Sequence, residues 1–325
     1  MTRAGFVSLI GPPNAGKSTL MNTLVGQKVS IVTPKVQTTR SRIRGIAMHG
    51  DAQVVFVDTP GIFVPKRRLD RAMVNAAWQG ADDSDLVVLV HDVARSKIDD
   101  DTARIVEALA KDKINAVLVL NKIDLVSPER LLEREEELSQ KVEFSRVFML
   151  SAEKGKGTDD FMAWLAEQMP QGPYLFDPED LSDMPMRLLA AEILREKLFL
   201  NLHEELPYQL TVETESWEER DDGSAEVRCS IFVAREGHRG IVLGKGGKTI
   251  GRIGTAARRE LEEVLERRVH LFTHVKFRKD WMNDPARYQD WDLGWTIKTD
   301  IQAGILILMP DVLIPHLEQR SGVHA

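Results

Sequence analysis

Gly11-Pro12-Pro13-Asn14-Ala15-Gly16-Lys17-Ser18 decides how the first half of this 325-residue chain is read. The stretch fits G-x-x-x-x-G-K-[ST], and it stands between an apolar run at residues 6–10 and a segment of helical character, the setting this motif requires. Glycines without a Cβ let successive backbone N–H groups wrap around phosphate oxygens, and the helix start behind them adds partial positive charge. In that frame Gly11, Asn14, Ala15, Gly16 and Thr19 shape the cradle, Lys17 neutralises the β- and γ-phosphates, and Ser18 ligates Mg²⁺. A chance glycine turn has the same composition but lacks the strand before it and the helix after it.

Further apolar runs follow at 53–57, 86–90, 116–120 and 147–150, with helix-length segments between most of them. Strands and helices alternating at this spacing predict an α/β domain, a mostly parallel sheet covered on both faces. Ligands of such sheets sit beyond the carboxyl ends of the strands, and the informative residues fall there. Asp58-Thr59-Pro60-Gly61 closes the second run: Asp58 can hold the magnesium and the Gly61 amide can sense a γ-phosphate. Asn121-Lys122-Ile123-Asp124 closes the fourth run. Guanine offers N1–H and its 2-amino group as adjacent donors, so Asp124 can accept both, whereas adenine would leave that carboxylate unpaired. Lys122 would pack along the base and Asn121 brace the neighbouring loops. Ser151-Ala152-Glu153, after the fifth run, would present the Ala152 amide to guanine O6. The reading is a GTP/GDP site with Mg²⁺ held by Ser18 and Asp58.

The second half differs in kind. Residues 169–173, Met-Pro-Gln-Gly-Pro, and the acidic, proline-punctuated 177–185 mark a boundary. A helix is expected over 186–202, strands over 209–217 and 225–233, an amphipathic helix over 248–268 and a closing strand over 269–277. Strict alternation puts Ala225, Val227, Cys229, Ile231 and Val233 on one buried face. Cys229, the sole cysteine, is then a core residue and can form no internal bridge, which suits a reducing compartment. The net charge of −7 argues against a polyanionic partner, yet residues 235–280 carry twelve Lys/Arg against six Asp/Glu. Inside that basic stretch lies Gly244-Lys245-Gly246-Gly247, followed by Lys248 and Arg252. A G-x-x-G turn lets a nucleic-acid strand approach the backbone while the helix start and cations hold its phosphates. Lys276, Arg278 and Lys279 could add backbone contacts, and Phe277 or Trp281 could stack on a base.

Other chemistries find no support. The eight His residues show no zinc-ligand spacing and no Gly-x-Ser-x-Gly elbow occurs. The apolar stretch before the glycine loop is too short for a secretory leader, and that at 303–315 is broken by Pro310 and Asp311 well short of the ~20 residues of a bilayer span.

With these motifs in order, residues 1–170 resemble translation-factor-related P-loop GTPases. The resemblance implies a switch-loop threonine that completes the Mg²⁺ shell: Thr39 is preferred, over Thr38 and Thr33. It implies catalytic roles for Lys17, Thr39 and Gly61. Ile62 stands where related GTPases carry a water-orienting glutamine, which implies slow intrinsic hydrolysis completed by another route or partner. Asn14 matches a residue that ligates K⁺ in potassium-stimulated relatives, with a simple loop brace as the alternative.

The G-x-x-G segment, in the order helix, strand, strand, helix, strand, is similar to a smaller α+β type II KH domain. Together the two halves resemble the Era family of bacterial GTPases. The resemblance divides the chain into a GTPase domain (1–170), a linker (171–185), a type II KH RNA-binding domain (186–288) and an extension (289–325) that departs from the family. It further implies binding of small-subunit ribosomal RNA near its 3′ end, a role in rRNA maturation and 30S subunit assembly, and action as a monomer. Cytoplasmic location and peripheral inner-membrane association belong to the same set of implications. GTP would order loops 29–40 and 61–70 and so set how the KH domain meets RNA. The rival readings are a P-loop NTPase or small-molecule kinase whose C-terminal domain takes a non-RNA ligand, and a scaffold that binds GTP without hydrolysing it.

Overall fold

A computed structural model describes residues 1–284. Its first unit runs β1 (Arg3–Ile10), α1 (Lys17–Val25), β2 (Ile43–His49), β3 (Ala52–Asp58), α2 (Arg68–Asp82), β4 (Leu86–Asp92), α3 (Asp100–Asp112), β5 (Ala116–Asn121), α4 (Pro128–Ser139), β6 (Arg146–Leu150) and α5 (Thr158–Gln168). The six strands form one sheet in the order β2-β3-β1-β4-β5-β6. Alternate residues of a strand serve opposite faces. Val88, Val90, Val117 and Val119 pack with Leu20 and Met21 of α1 and Phe161 and Leu165 of α5. Val87, Leu89, Leu118 and Leu120 pack on the other side with Ala77, Ile105, Leu109 and Leu138. Burial on both faces is why these strands read as unbroken apolar runs.

One strand departs from that reading. β2 pairs antiparallel with β3, from Ile43 opposite Asp58 to His49 opposite Ala52, across a Gly50-Asp51 turn. Arg44 and His49 interrupt its apolar pattern because this is an edge strand. Residues 171–185 then run along that edge: Ile46 N–H donates to Leu181 O at 2.9 Å, Ser182 Oγ to Arg44 O at 2.6 Å, and Gln53 bonds the backbone of Leu175 and Phe176. The connection is stitched to the sheet and covers backbone groups an edge would otherwise expose.

The second unit comprises α6 (Met186–Asn201), β7 (Leu210–Glu219), β8 (Ala225–Val233), α7 (Glu236–Leu243), α8 (Lys248–Val264) and β9 (Val269–Phe277). β8 is central, antiparallel to β7 and parallel to β9. Ala225, Val227, Cys229, Ile231 and Val233 are fully buried against Ile253, Ala257 and Leu261 of α8. α7, for which no helix is expected from the sequence, ends at Gly244, so the glycine turn joins two helices.

The units meet in a small core of their own, where Leu69, Met73 and Ala76 of α2 pack on Trp281. Trp281 is fully buried and donates from Nε1 to Gln209 O at 3.2 Å, so it cannot stack on a base as the sequence allowed. The extension at 289–325 lies outside the described residues. Among the described residues no helix is long and apolar enough to cross a membrane.

Candidate nucleotide site and nucleic-acid loop

The carboxyl ends of β1, β3, β4 and β5 open on a cleft of about 530 Å³ lined by Asn14, Lys17, Ser18, Thr39, Gly61 and Lys122, among others. Gly16 has φ 97°, and a Cβ there would stand 2.2 Å from Asn121 Nδ2, so both the turn and the contact demand glycine. That contact is productive: Asn121 donates to Ala15 O at 2.9 Å, while its Oδ1 accepts from the amides of Lys122 at 2.8 Å and Ala152 at 3.0 Å. One side chain thus ties three loops. The Ala152 amide, expected at guanine O6, is engaged by Asn121 in this structure; it is buried, and an unpaired buried donor is costly.

Lys17 is buried, with Nζ 3.1 Å from both Gly11 O and Pro12 O. Burial lowers its pKa to about 8, with Asp58 opposing the fall and Arg95 adding to it. Asp58 is fully buried, and burial pushes its carboxyl up against the pull of Lys17 and of its hydroxyl donors. Its Oδ2 accepts from Ser18 at 2.6 Å, Ser30 at 3.0 Å and Thr39 at 3.3 Å, while Oδ1 is buried without a partner. A carboxylate with an orphaned oxygen beside two hydroxyls is a hard-oxygen set that fits Mg²⁺. Thr39 Oγ1 lies 3.0 Å from Ser18 Oγ; Thr38 and Thr33 instead bond each other at 2.6 Å.

Two residues of the expected set turn away. Thr59 donates to Leu9 O at 2.8 Å and is fully buried, and Pro60 beside it is buried as well. Asp58 reaches the cleft through its bond from Ser18, and the next side chain, that of Thr59, is turned to β1. Ile62 is buried and packs in the core with residues of α2 and α3. Asn14 donates to Pro34 O at 3.0 Å, the brace that the sequence held open beside K⁺ ligation. Asp124 sits exposed on a 3₁₀ turn at the rim, where a hydrogen bond from Ser151 lowers its pKa. Lys122 pairs with Asp92 at 2.6 Å and reaches Asn14 O at 3.0 Å.

At the second site Gly244 has φ 70°, and a Cβ would stand 2.1 Å from Thr249 Oγ1. Gly246 and Gly247 also take positive φ, but nothing lies within 4 Å of a Cβ at either. The loop is therefore rigid at its first glycine and open at the others. Lys245, Lys248 and Arg252 are exposed and make no ion pair among the described residues. Several other cations of the basic stretch are spent: Arg258 pairs with Glu262, Arg267 with Glu219 and Lys276 with Glu215. Arg278 lies over the Phe232 ring at 4.4 Å.

Sequence reasoning missed how residues 28–40 bridge the two sites. Thr39 faces Asp58, and the next residue, Arg40, is buried in the second unit, 5.5 Å from the Phe199 ring and 5.6 Å from Trp281, donating to Leu210 O at 2.8 Å. Arg195 of α6 donates to Thr38 O, and Glu196 accepts from Val32 N–H at 2.9 Å and from Lys28. Lys28 also pairs with Glu260 of α8, the helix that the glycine turn opens. A buried arginine carries no period or motif; only folding shows its partners.

Comparison with known proteins agrees with this geometry. Residues 6–122 match the family described as 50S ribosome-binding GTPase, and residues 205–282 match the KH domain. The GTPase Era of Rhizobium meliloti (strain 1021) is 56% identical over 294 residues, covering 90% of this chain and 94% of that protein. A crystal structure of a variant of Aquifex aeolicus Era bound to GDP·AlF₄⁻ superposes with a TM-score of 0.85 at 34% identity, covering 90% of this chain and 99% of that one. Era in complex with MgGDPNP and nucleotides 1506–1542 of 16S ribosomal RNA gives the same TM-score, identity and coverage. On its two family matches, its long similarity and its fold, the chain belongs to the Era family of GTPases.

Proposed function

We propose that this protein is a GTP-hydrolysing switch whose KH unit binds small-subunit ribosomal RNA near the 3′ end and assists rRNA maturation and 30S assembly in the cytoplasm. Residues 1–170 form the nucleotide unit, and residues 186–288 the RNA unit. Lys17 neutralises the phosphates, Asp124 selects guanine, and Gly61 senses the γ-phosphate. Ser18, Thr39 and Asp58 hold Mg²⁺, which supplies charge neutralisation on the phosphates when bound. Buried Ile62 leaves no glutamine-like group to orient water, so unassisted hydrolysis is slow. At the second site the helix start and Lys245, Lys248 and Arg252 hold RNA phosphates while Gly244, Gly246 and Gly247 let the strand approach. Support comes from the relative crystallised with MgGDPNP and a 16S rRNA segment.

The observation that carries this reading is the bond pattern of residues 28–40, which touch Ser18 and Asp58 on one side and α6 and α8 on the other. Whatever orders Thr39 at the cleft also moves groups bonded to the KH unit. The test titrates the full chain with an oligonucleotide copying the 3′ end of small-subunit rRNA, in a GTP analogue and in GDP, at fixed salt. Tight, nucleotide-dependent binding is expected. Binding no better than to a scrambled oligonucleotide in either state would refute the RNA assignment and favour a non-RNA partner.

A further inference from the structure

Pro12 and Pro13 have no backbone N–H, so the amides able to wrap a phosphate begin at Asn14. The carbonyl of that same peptide group, Pro13 O, accepts a hydrogen bond from Arg95 Nη2 at 2.6 Å. The next two carbonyls, Asn14 O and Ala15 O, accept from Lys122 and Asn121. Three successive peptide groups of the cradle are therefore held from behind by donors, two of them cationic. A peptide is one delocalised unit, so drawing electron density to its oxygen makes its N–H a stronger donor. Lys122 and Asn121 already belong to the guanine loop. Arg95 comes from the loop between β4 and α3, to which no role has been given.

Its position is specific. Pro13, whose carbonyl Arg95 holds, abuts the switch glycine, since a Cβ on Gly61 would stand 2.8 Å from Pro13 N and 2.9 Å from Pro13 Cα. That is the end of the cradle where a third phosphate would lie. Arg95 lines the cleft and is fixed at both ends. Its guanidinium pairs with Asp99, the residue that caps α3, and its own carbonyl accepts from Arg130 at 3.3 Å and Arg134 at 3.2 Å.

We infer that Arg95 is a positioning residue for hydrolysis: through the Pro13 carbonyl it strengthens the Asn14 N–H as a donor to the β–γ bridging oxygen. The inference rests on the reading of the cleft as a GTP site. In the reaction water attacks the γ-phosphorus, the bond to the bridging oxygen breaks, and that oxygen keeps the electron pair as GDP leaves. The proton from water ends on inorganic phosphate. Charge grows on the bridging oxygen as the bond opens, so a stronger donor there favours the transition state over bound GTP.

The test compares the full-length wild type with Arg95→Ala, Arg95→Gln and Arg95→Lys in single-turnover GTP hydrolysis, GTP and GDP affinity, and the amide proton shift of Asn14 in the GDP complex. Losing one direct oxyanion donor costs about 10²–10³ in rate. Here the donor survives and is only weakened, so Arg95→Ala and Arg95→Gln should slow hydrolysis about tenfold with both affinities within about twofold. The Asn14 amide proton should move upfield in both, and Arg95→Lys should recover part of rate and shift. If the alanine variant does not fold, glutamine, which keeps a neutral donor, carries the test. Wild-type rate with an unmoved amide would overturn the inference, as would equal losses in affinity and rate, which would make Arg95 a loop brace. A wild type that neither binds nor hydrolyses GTP would instead refute the reading of the cleft.

Discussion

At the scale of single residues, the two sites answer to different chemistry and are separable by substitution. Asp124 is exposed at the rim, with its carboxylate lowered in pKa by the Ser151 hydrogen bond, so it is charged at neutral pH. Asp124→Asn replaces an acceptor with an amide that presents a donor to guanine N1–H or its 2-amino group. GTP affinity should fall by about a hundredfold or more, the scale set when a site built for paired polar groups loses the match, while affinity for xanthosine triphosphate, which offers a carbonyl at that position, should rise. Competition binding with both nucleotides measures it, and unchanged preference for guanine would refute the pocket assignment. The glycine loop gives a second contrast. Gly244→Ala meets Thr249 and a positive φ, and should cost about 1–3 kcal/mol in thermal unfolding. Gly246→Asp meets open space apart from its own backbone preference, and should chiefly weaken RNA binding by repelling phosphate, leaving GTP hydrolysis intact.

At the scale of elements, β4 carries a buried histidine that no motif explains. His91 is fully buried, 3.4 Å from Thr102 Oγ1 through Nδ1, with Nε2 unpartnered. Burial first, and then the Arg134 charge, lowers its pKa to about 4, with Asp99 and Asp92 opposing and Arg95 adding to the fall. The folded state thus keeps His91 neutral, whereas the unfolded chain protonates it below about 6.5. Stability from this group is full above that pH and is lost as pH falls toward 4. By linkage His91→Gln should remove about 2 kcal/mol of the stability lost between pH 7 and pH 5. Urea unfolding of both proteins at the two pH values checks it, and parallel losses would show that His91 does not titrate as described. The strands β1 and β3 to β5, buried along most of their length, were legible because burial writes itself as apolar runs, and half-buried β6 at the far edge keeps such a run in residues 147–150. β2 and α7 were not: one is an edge strand with mixed side chains, the other a short helix exposed over most of its length.

At the scale of the whole molecule, residues 28–40 are shared property. Glu196 accepts from Val32 N–H and pairs with Lys28, and Lys197 beside it pairs with Glu260 on α8. Coupling free energy between two sites is reciprocal, so a factor by which GTP tightens RNA binding is the factor by which RNA tightens GTP binding. Glu196→Ala should bring that factor near one while both ligands still bind, measured by RNA titration in the GTP analogue and in GDP. A ratio equal to that of the wild type would mean that coupling runs elsewhere. The nucleotide site was readable in large part from the chain alone, because wrapping phosphates, holding magnesium and pairing guanine each demand particular residues at strand ends. Such local requirements survive as short motifs: the glycine cradle, Asp58 to Gly61, Asn121 to Asp124, and the glycine turn at residue 244. The role of Arg95 behind the cradle, the burial of Arg40 beside Trp281, and the strapping of residues 171–185 to β2 left no such trace. Each depends on groups between about eighty and two hundred and forty positions apart meeting in space, and a side chain satisfied by a distant carbonyl or ring imposes no spacing on its neighbours. Sequence therefore determined what the two sites are made of, and tertiary structure decided how they are joined.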